Sequence, residues 1–130
     1  MNLNINKTTL IIENKKYNLE EIDFILYSGK IRIYKSNGTI ETILGGYAKH
    51  ELNLAYLDIV YSITSINNNF VFIKQNNLIN LKNIQDLKED DIGLEILTKG
   101  FNLKLTELNP LQIQNLKKSI NQNYNNSISL

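Results

Sequence analysis

The 130-residue sequence predicts a mainly β fold of antiparallel sheets with few helices. Three observations lead there. Short β-branched or aliphatic runs recur along the chain, turn residues punctuate them, and only two stretches carry helical spacing. Ile, Leu, Val and Phe together number 45 of 130 residues, or 35 %, well above the roughly 20 % below which a charged chain fails to collapse. A chain of this size buries roughly 60 % or more of its unfolded surface, so one core needs no staples.

Thr8-Thr9-Leu10-Ile11-Ile12 is short and β-branched, and Glu13 to Lys16 turns it back into Tyr17-Asn18-Leu19 as a hairpin. Ile22 to Tyr27 is a mostly apolar strand ended by Ser28-Gly29. Lys30-Ile31-Arg32-Ile33-Tyr34 alternates basic and apolar residues, the pattern of a strand with one wet face. Asn37-Gly38 then signals a hairpin, with Thr39 to Ile43 as the return strand. The first 44 residues thus read as a β-meander, broken by Gly45-Gly46.

Apolar residues at 52, 55, 56, 59, 60 and 63 predict an amphipathic helix over about Lys49 to Ser62, although Ile59 to Ile66 also suits a strand. Phe70–Ile73, Leu78–Leu81, Ile84–Leu87, Gly93–Leu97 and Phe101–Leu105 are the next strands, with turns at Lys88–Asp91 and Thr98–Gly100. The C-terminal helix has the clearest start: Asn109 as N-cap, Pro110 at the first helical position and Gln112 at the reciprocal capping-box site. Its stripe is Ile113, Leu116 and Ile120, after which residues 121–130 read as a polar, frayed tail behind one domain over residues 1–120. The expected core is Leu10, Ile22, Ile31, Ile33, Phe70, Phe72, Leu78, Ile84, Ile96, Leu103, Ile113 and Leu116.

Much chemistry is excluded. Without cysteine there is no disulfide, thiolate metal site or thiol nucleophile. His50 is the single histidine, which argues against a His-rich metal site or a Ser-His-Asp centre. Glu20-Glu21 and Glu89-Asp90-Asp91 are adjacent carboxylates that suit solvated turns better than a desolvated acid–base pair. Gly45-Gly46 lacks the context of a phosphate-cradling loop. The sequence therefore predicts neither an enzyme, nor a cofactor, nor a metal. No apolar run exceeds four residues and the N-terminus lacks a signal-peptide pattern, so the expected location is the cytoplasm, with no membrane partner.

A net charge of +1 is not the footprint of a protein that grips a phosphate backbone everywhere. A local patch remains: Lys30 and Arg32 on one strand, and Lys74-Gln75-Asn76-Asn77 between two apolar strands. Lysine positions on phosphate, and Gln or Asn can pair with an adenine edge. The plainer reading is a hydrated hairpin tip in a chain with 21 asparagines.

The segment Phe70-Val71-Phe72-Ile73-Lys74-Gln75-Asn76-Asn77-Leu78-Ile79-Asn80, followed by Ile84, resembles the hallmark of the LytTR DNA-binding domains of bacterial transcription regulators. Leu10 to Tyr17 and Leu19 to Ile25 are similar to that family's opening strands. Leu94 to Gly100, with the strand and helix after it, resembles the family's close. The likeness spans roughly residues 8–120 in the same order. It implies an elongated antiparallel β sandwich with one or two short helices, and loops inserted into successive major grooves of double-stranded DNA, with a homodimer on paired sites.

Carried over by position, the loops are Ser28 to Lys30, Lys74 to Asn77, and Thr106 to Asn109. The DNA-contacting set is then Lys30, Arg32, Lys74, Gln75, Asn76, Asn77, Lys104 and Thr106. Lys74 would meet a phosphate or guanine, Gln75 and Asn76 base edges, and Lys30 and Lys104 phosphates. The chain departs from the pattern where the family has Arg and His (here Phe72 and Lys74) and where Glu107 replaces a cation. The span from Gly38 to Phe70 is also about a dozen residues longer than the family's. With no receiver domain, kinase or membrane segment in the sequence, the expectation is a stand-alone regulator, or one half of a system encoded elsewhere; the competing expectation is an adaptor or inhibitor that binds a protein partner through the same scaffold.

Overall fold

The computed structural model describes residues 2–73 and 76–128, with side chains as far as residue 120. Among the described residues, eleven strands form three antiparallel sheets, accompanied by two helices. Strands β1 (Leu3–Ile5), β2 (Thr9–Ile12) and β3 (Lys15–Asn18) make the first sheet in sequence order. The β2–β3 turn places Glu13 and Asn14 at φ of 48° and 68°, the left-handed pair of a tight hairpin. The second, central sheet contains β4 (Ile22–Tyr27), β5 (Ile31–Lys35), β6 (Ile40–Ile43), β7 (Phe70–Ile73) and β8 (Asn77–Asn80), in the order β6-β5-β4-β8-β7. Strands β9 (Ile84–Glu89), β10 (Gly93–Thr98) and β11 (Asn102–Thr106) form the third.

The expected meander is therefore divided between two sheets. A 3-10 turn at Leu19–Glu21 separates them, capped by the Asn18 side chain, which accepts from the Glu20 amide, and pinned by the buried Leu19. The turn expected at Lys88–Asp91 starts two residues late. Lys88 and Glu89 pair with β10, and the Asp90 carboxylate then accepts from the amides of Ile92 and Gly93 at 2.8 and 3.0 Å.

Both helices are longer than the sequence predicts. Helix α1 (Lys49–Ile66) runs four residues past Ser62, because Leu52, Tyr56, Ile59, Val60 and Ile63 all turn to the core. Burial thus decides between the helical and extended readings of Ile59 to Ile66. Helix α2 (Pro110–Ile128) opens with the expected capping box: the Gln112 amide donates to Asn109 Oδ1 at 2.8 Å and the Asn109 amide to Gln112 Oε1 at 2.9 Å. Its backbone continues helical to Ile128, where a frayed tail from Asn121 was the expectation.

The middle strands of the central sheet, β4 and β8, are buried on both faces, which explains why Ile22 to Tyr27 reads as a mostly apolar run while the outer β5 alternates. On one face Ile25, Ile31, Ile33, Phe70 and Leu78 pack with the first sheet and α1. On the other, Phe24 and Ile79 pack with Leu94, Ile96 and Leu105 of the third sheet and Leu116 of α2. The two cores are thus joined by a shared sheet: β4 and β8 send alternate side chains into each. Of the expected core residues, Phe72, Ile84, Leu103 and Ile113 are half-buried and the other eight are buried. Tyr56, fully buried with its hydroxyl donating to the Ile25 carbonyl at 2.7 Å, is the largest core side chain absent from that expectation.

One polar device spans the layers. The β4–β5 register shifts between Ile22 and Phe24, leaving Asp23 as the residue out of step. Its carboxylate, fully buried, accepts from Ser36 Oγ (2.7 Å), Asn83 Nδ2 (3.0 Å), Thr98 Oγ1 (2.6 Å) and the Gly100 amide (2.9 Å). Those donors come from the β5–β6 turn, the segment after β8, the end of β10 and the turn that follows it. No helix among the described residues is long and apolar enough to cross a membrane.

Candidate nucleic-acid interface

Of the described residues singled out by sequence, Lys30, Arg32, Asn76 and Asn77 gather at one end of the central sheet. The β4–β5 turn, Ser28 to Lys30, closes with the Ser28 amide donating to the Lys30 carbonyl at 3.0 Å, and Gly29 takes a φ of 69° that a side chain disfavours. Lys30 lies in this turn, one residue before β5, and is exposed. Strand β4 pairs antiparallel with β8, so its end meets the start of β8: Leu26 stands opposite Asn77 and the Tyr27 amide donates to the Asn76 carbonyl at 3.1 Å. The β4–β5 turn and the β7–β8 connection are therefore side by side.

Asn76 is exposed at this end. Asn77 is only 9 % exposed, and its Nδ2 donates to the Ile73 carbonyl at 3.2 Å and to Asn76 Oδ1 at 2.9 Å. That side chain ties the start of β8 to the end of β7 and presents Asn76; its amide donors are spent internally. Lys74 and Gln75 lie outside the described residues.

The third loop lies beside the same end. Leu108 shares a groove with Phe72 and Ile73 of β7 and with Gln112 and Leu116 of α2, so the segment from Thr106 to Asn109 runs next to the β7 terminus. Thr106 is the exposed last residue of β11, and Glu107 follows in the left-handed region at φ 61°. Asn115 and Ser119 also line this groove. Sequence reading passed over them, although their spacing of three and seven residues from Gln112 on a predicted helix was the available signal.

Arg32 stands on β5 opposite Leu26 and Thr42. Its neighbours Ile31 and Ile33 enter the first core, so alternation puts Arg32 on the other face with Tyr34, half-buried. Among the described residues, neither Lys30 nor Arg32 has a carboxylate within ion-pair distance.

Lys104 differs. It stands on β11 opposite Glu95 and is ion-paired with Asp90. The hydrogen bond from Lys104, helped by the amides of Gly93 and Ile92, holds the Asp90 carboxyl down at about 2. Lys117 of α2 is paired in the same way with Glu89. Glu89 and Asp90 thus pair one lysine of α2 and one of the third sheet, and Lys104, unlike Lys30 and Arg32, has a carboxylate partner among the described residues.

The hallmark asparagine also has an architectural explanation. Asn80 is 2 % exposed, and its Nδ2 donates to the carbonyls of Leu19 and Ile22 at 3.4 and 3.0 Å while its Oδ1 accepts from the Lys82 amide at 3.1 Å. It locks the end of β8 to the start of β4.

No protein-family model matches the chain, and no curated protein matches it in sequence. Among solved structures, the chain is similar to the LytTr DNA-binding domain of a Bacillus cereus protein described as a methyl-accepting/DNA response regulator. The superposition has a TM-score of 0.52 at 11 % identity, and covers 88 % of this chain and 98 % of that domain. An identity that low speaks for architecture alone, and the match extends over nearly the whole of both chains. The chain has a LytTR-type fold.

Proposed function

We propose that the chain is a DNA-binding regulatory module that grips duplex DNA with the loop end of its central sheet. The carrying observation is the gathering there of the β4–β5 turn, the β7–β8 connection and the Thr106–Asn109 segment, with Lys30 and Arg32 unopposed by described carboxylates. In this reading Lys30, Arg32 and Lys74 contact phosphate, while Gln75 and Asn76 meet base edges in the major groove. Asn77 acts by positioning Asn76, and Thr106 borders a second contact. Lys104 is left out of the proposed contacts, because it already has a carboxylate partner in Asp90. The name of the similar Bacillus cereus domain is consistent with this function.

The test is fluorescence anisotropy on duplex fragments from around the protein's own gene, across a salt series. With about three phosphates neutralised, log K should fall with log salt at a slope near −2.7, from roughly −0.9 per contact. Lys30→Ala should flatten the slope by about 0.9 and weaken all sequences alike, whereas Asn76→Ala should relax preference at one base pair by roughly 1–3 kcal/mol. Lys104→Ala should leave the slope unchanged.

A second reading has its own support. The Lys104–Asp90 and Lys117–Glu89 pairs make the third sheet and α2 an internally neutralised surface, better suited to a protein partner than to a polyanion. Absence of salt-sensitive binding to every fragment at low ionic strength retires the duplex reading in favour of this one.

A further inference from the structure

A second polar feature lies at the opposite end of the central sheet, where β4 begins and β8 ends. A cleft of about 320 Å³ opens there, with Lys7, Lys82 and Lys99 on its lining. The three lysines come from three connections far apart in sequence: β1 to β2, the 3-10 turn Leu81–Asn83, and β10 to β11. All three are exposed, and none has a carboxylate within ion-pair distance among the described residues. Glu20 is the one carboxylate on the lining, so the cleft carries a formal excess of two positive charges.

The rest of the lining is polar and largely committed. Asn67 Nδ2 donates to the Lys7 carbonyl at 3.5 Å and Asn67 Oδ1 accepts from the Asn69 amide at 2.9 Å, which ties the segment after α1 to the β1–β2 turn. The amides of Asn80 and Asn83 are spent on the carbonyls of Leu19, Glu20 and Ile22. Leu19 and Phe70 are 1 % and 5 % exposed, so they offer a ligand almost no apolar surface. What the cleft has to give is ammonium charge. Its volume is at the low end of the roughly 300–1,000 Å³ of small-molecule sites, a size for a compact molecule rather than a polymer.

We propose that this cleft binds a small, multiply charged anion of the phosphate class, with Lys7, Lys82 and Lys99 as its counter-charges. Lysine serves phosphate as a compact point charge on a flexible stem. A ligand held by all three would join the first sheet, the central sheet and the third, and Lys99 directly precedes Gly100, whose amide binds Asp23. Occupancy therefore stiffens the molecule across both cores. The proposal does not depend on the duplex reading, which concerns the other end of the sheet.

Isothermal titration of the full chain with inorganic pyrophosphate, at constant ionic strength, is the direct test, and ATP in a parallel arm separates phosphate recognition from nucleotide recognition. Saturable one-to-one binding is expected, weakened at least tenfold by Lys82→Glu and by Lys7→Glu and unchanged by Lys88→Ala. Lys99→Ala, a milder change in an exposed turn, gives the same direction should a charge reversal unfold the chain. The melting temperature should rise saturably with pyrophosphate. A response that follows ionic strength without saturating, or an equal loss in Lys88→Ala, overturns the site. So does Lys82→Glu if it abolishes duplex binding while sparing pyrophosphate.

Discussion

Replacing Asp23 by alanine tests the polar device that joins the sheets. The carboxylate accepts four hydrogen bonds inside the protein. Two of its donors keep other acceptors when it is removed: Asn83 Nδ2 still reaches the carbonyls of Glu20 and Ile22 at 2.9 and 3.2 Å, and Thr98 Oγ1 still reaches that of Phe101 at 3.1 Å. The Ser36 hydroxyl and the Gly100 amide lose their acceptor. Ser36 and Gly100 are half-buried, so the roughly 1–3 kcal/mol of a fully buried stranded donor is an upper value for each, and the loss should be about 1–6 kcal/mol. That is a large share of the roughly 5–15 kcal/mol that holds a domain together. Asp23→Asn should cost less, since one oxygen still accepts while its amide group faces the other donors. Thr98→Val should show coupling to Asp23→Ala of at least about 0.5 kcal/mol in a double-mutant cycle. Urea unfolding followed by circular dichroism reads all of these, with the midpoint shifting at constant slope. A loss below about 1 kcal/mol for Asp23→Ala would refute the reasoning, because it would mean that water or a local shift satisfies both stranded donors.

Three further outcomes follow from local geometry. Asn109→Ala should destabilise by about 1 kcal/mol in urea unfolding, because the Gln112 amide loses its cap. Gly93→Ala should cost about 1–3 kcal/mol or more, since an added Cβ would stand 2.0 Å from the Leu105 carbonyl oxygen and force β10 and β11 apart. In an alkaline titration read at the tyrosinate absorbance, Tyr17 and Tyr56 should ionise late. Burial first, then the neighbouring Glu41, pushes Tyr17 from 10.0 up to about 12, and burial pushes Tyr56 higher still. A raised value means that folding favours the protonated ring. This stabilisation is complete below pH 10 and is lost as the pH climbs through about 12. An early, fully reversible ionisation of all seven tyrosines before unfolding would contradict it.

The sequence by itself determined the local elements. Alternation in Ile31 to Lys35, the Asn37-Gly38 turn, the apolar run Phe70–Ile73 and the Asn109-Pro110 cap all depend on neighbours within a few residues, and each stands where it was expected. The order of pieces around Asn80 also sufficed to expect the architecture. Tertiary structure alone decided the rest, because its determinants are contacts between residues distant in the chain. Propensity left Ile59 to Ile66 open, and burial of Ile59 and Ile63 against the central sheet made it helix. Both-face burial of β4 and β8 linked two cores that no local pattern reveals. Asp23 reads as one acid in an apolar strand until the fold brings Ser36, Asn83, Thr98 and Gly100 to it. At the candidate interface, pairing of β4 with β8 brought the β4–β5 turn beside Asn76 and turned Asn77 inward, and folding of the third sheet gave Lys104 a carboxylate partner in Asp90 that spacing along the chain does not announce. The lysine cleft is the extreme case: Lys7, Lys82 and Lys99 share no motif and meet only because three connections converge at one end of a sheet.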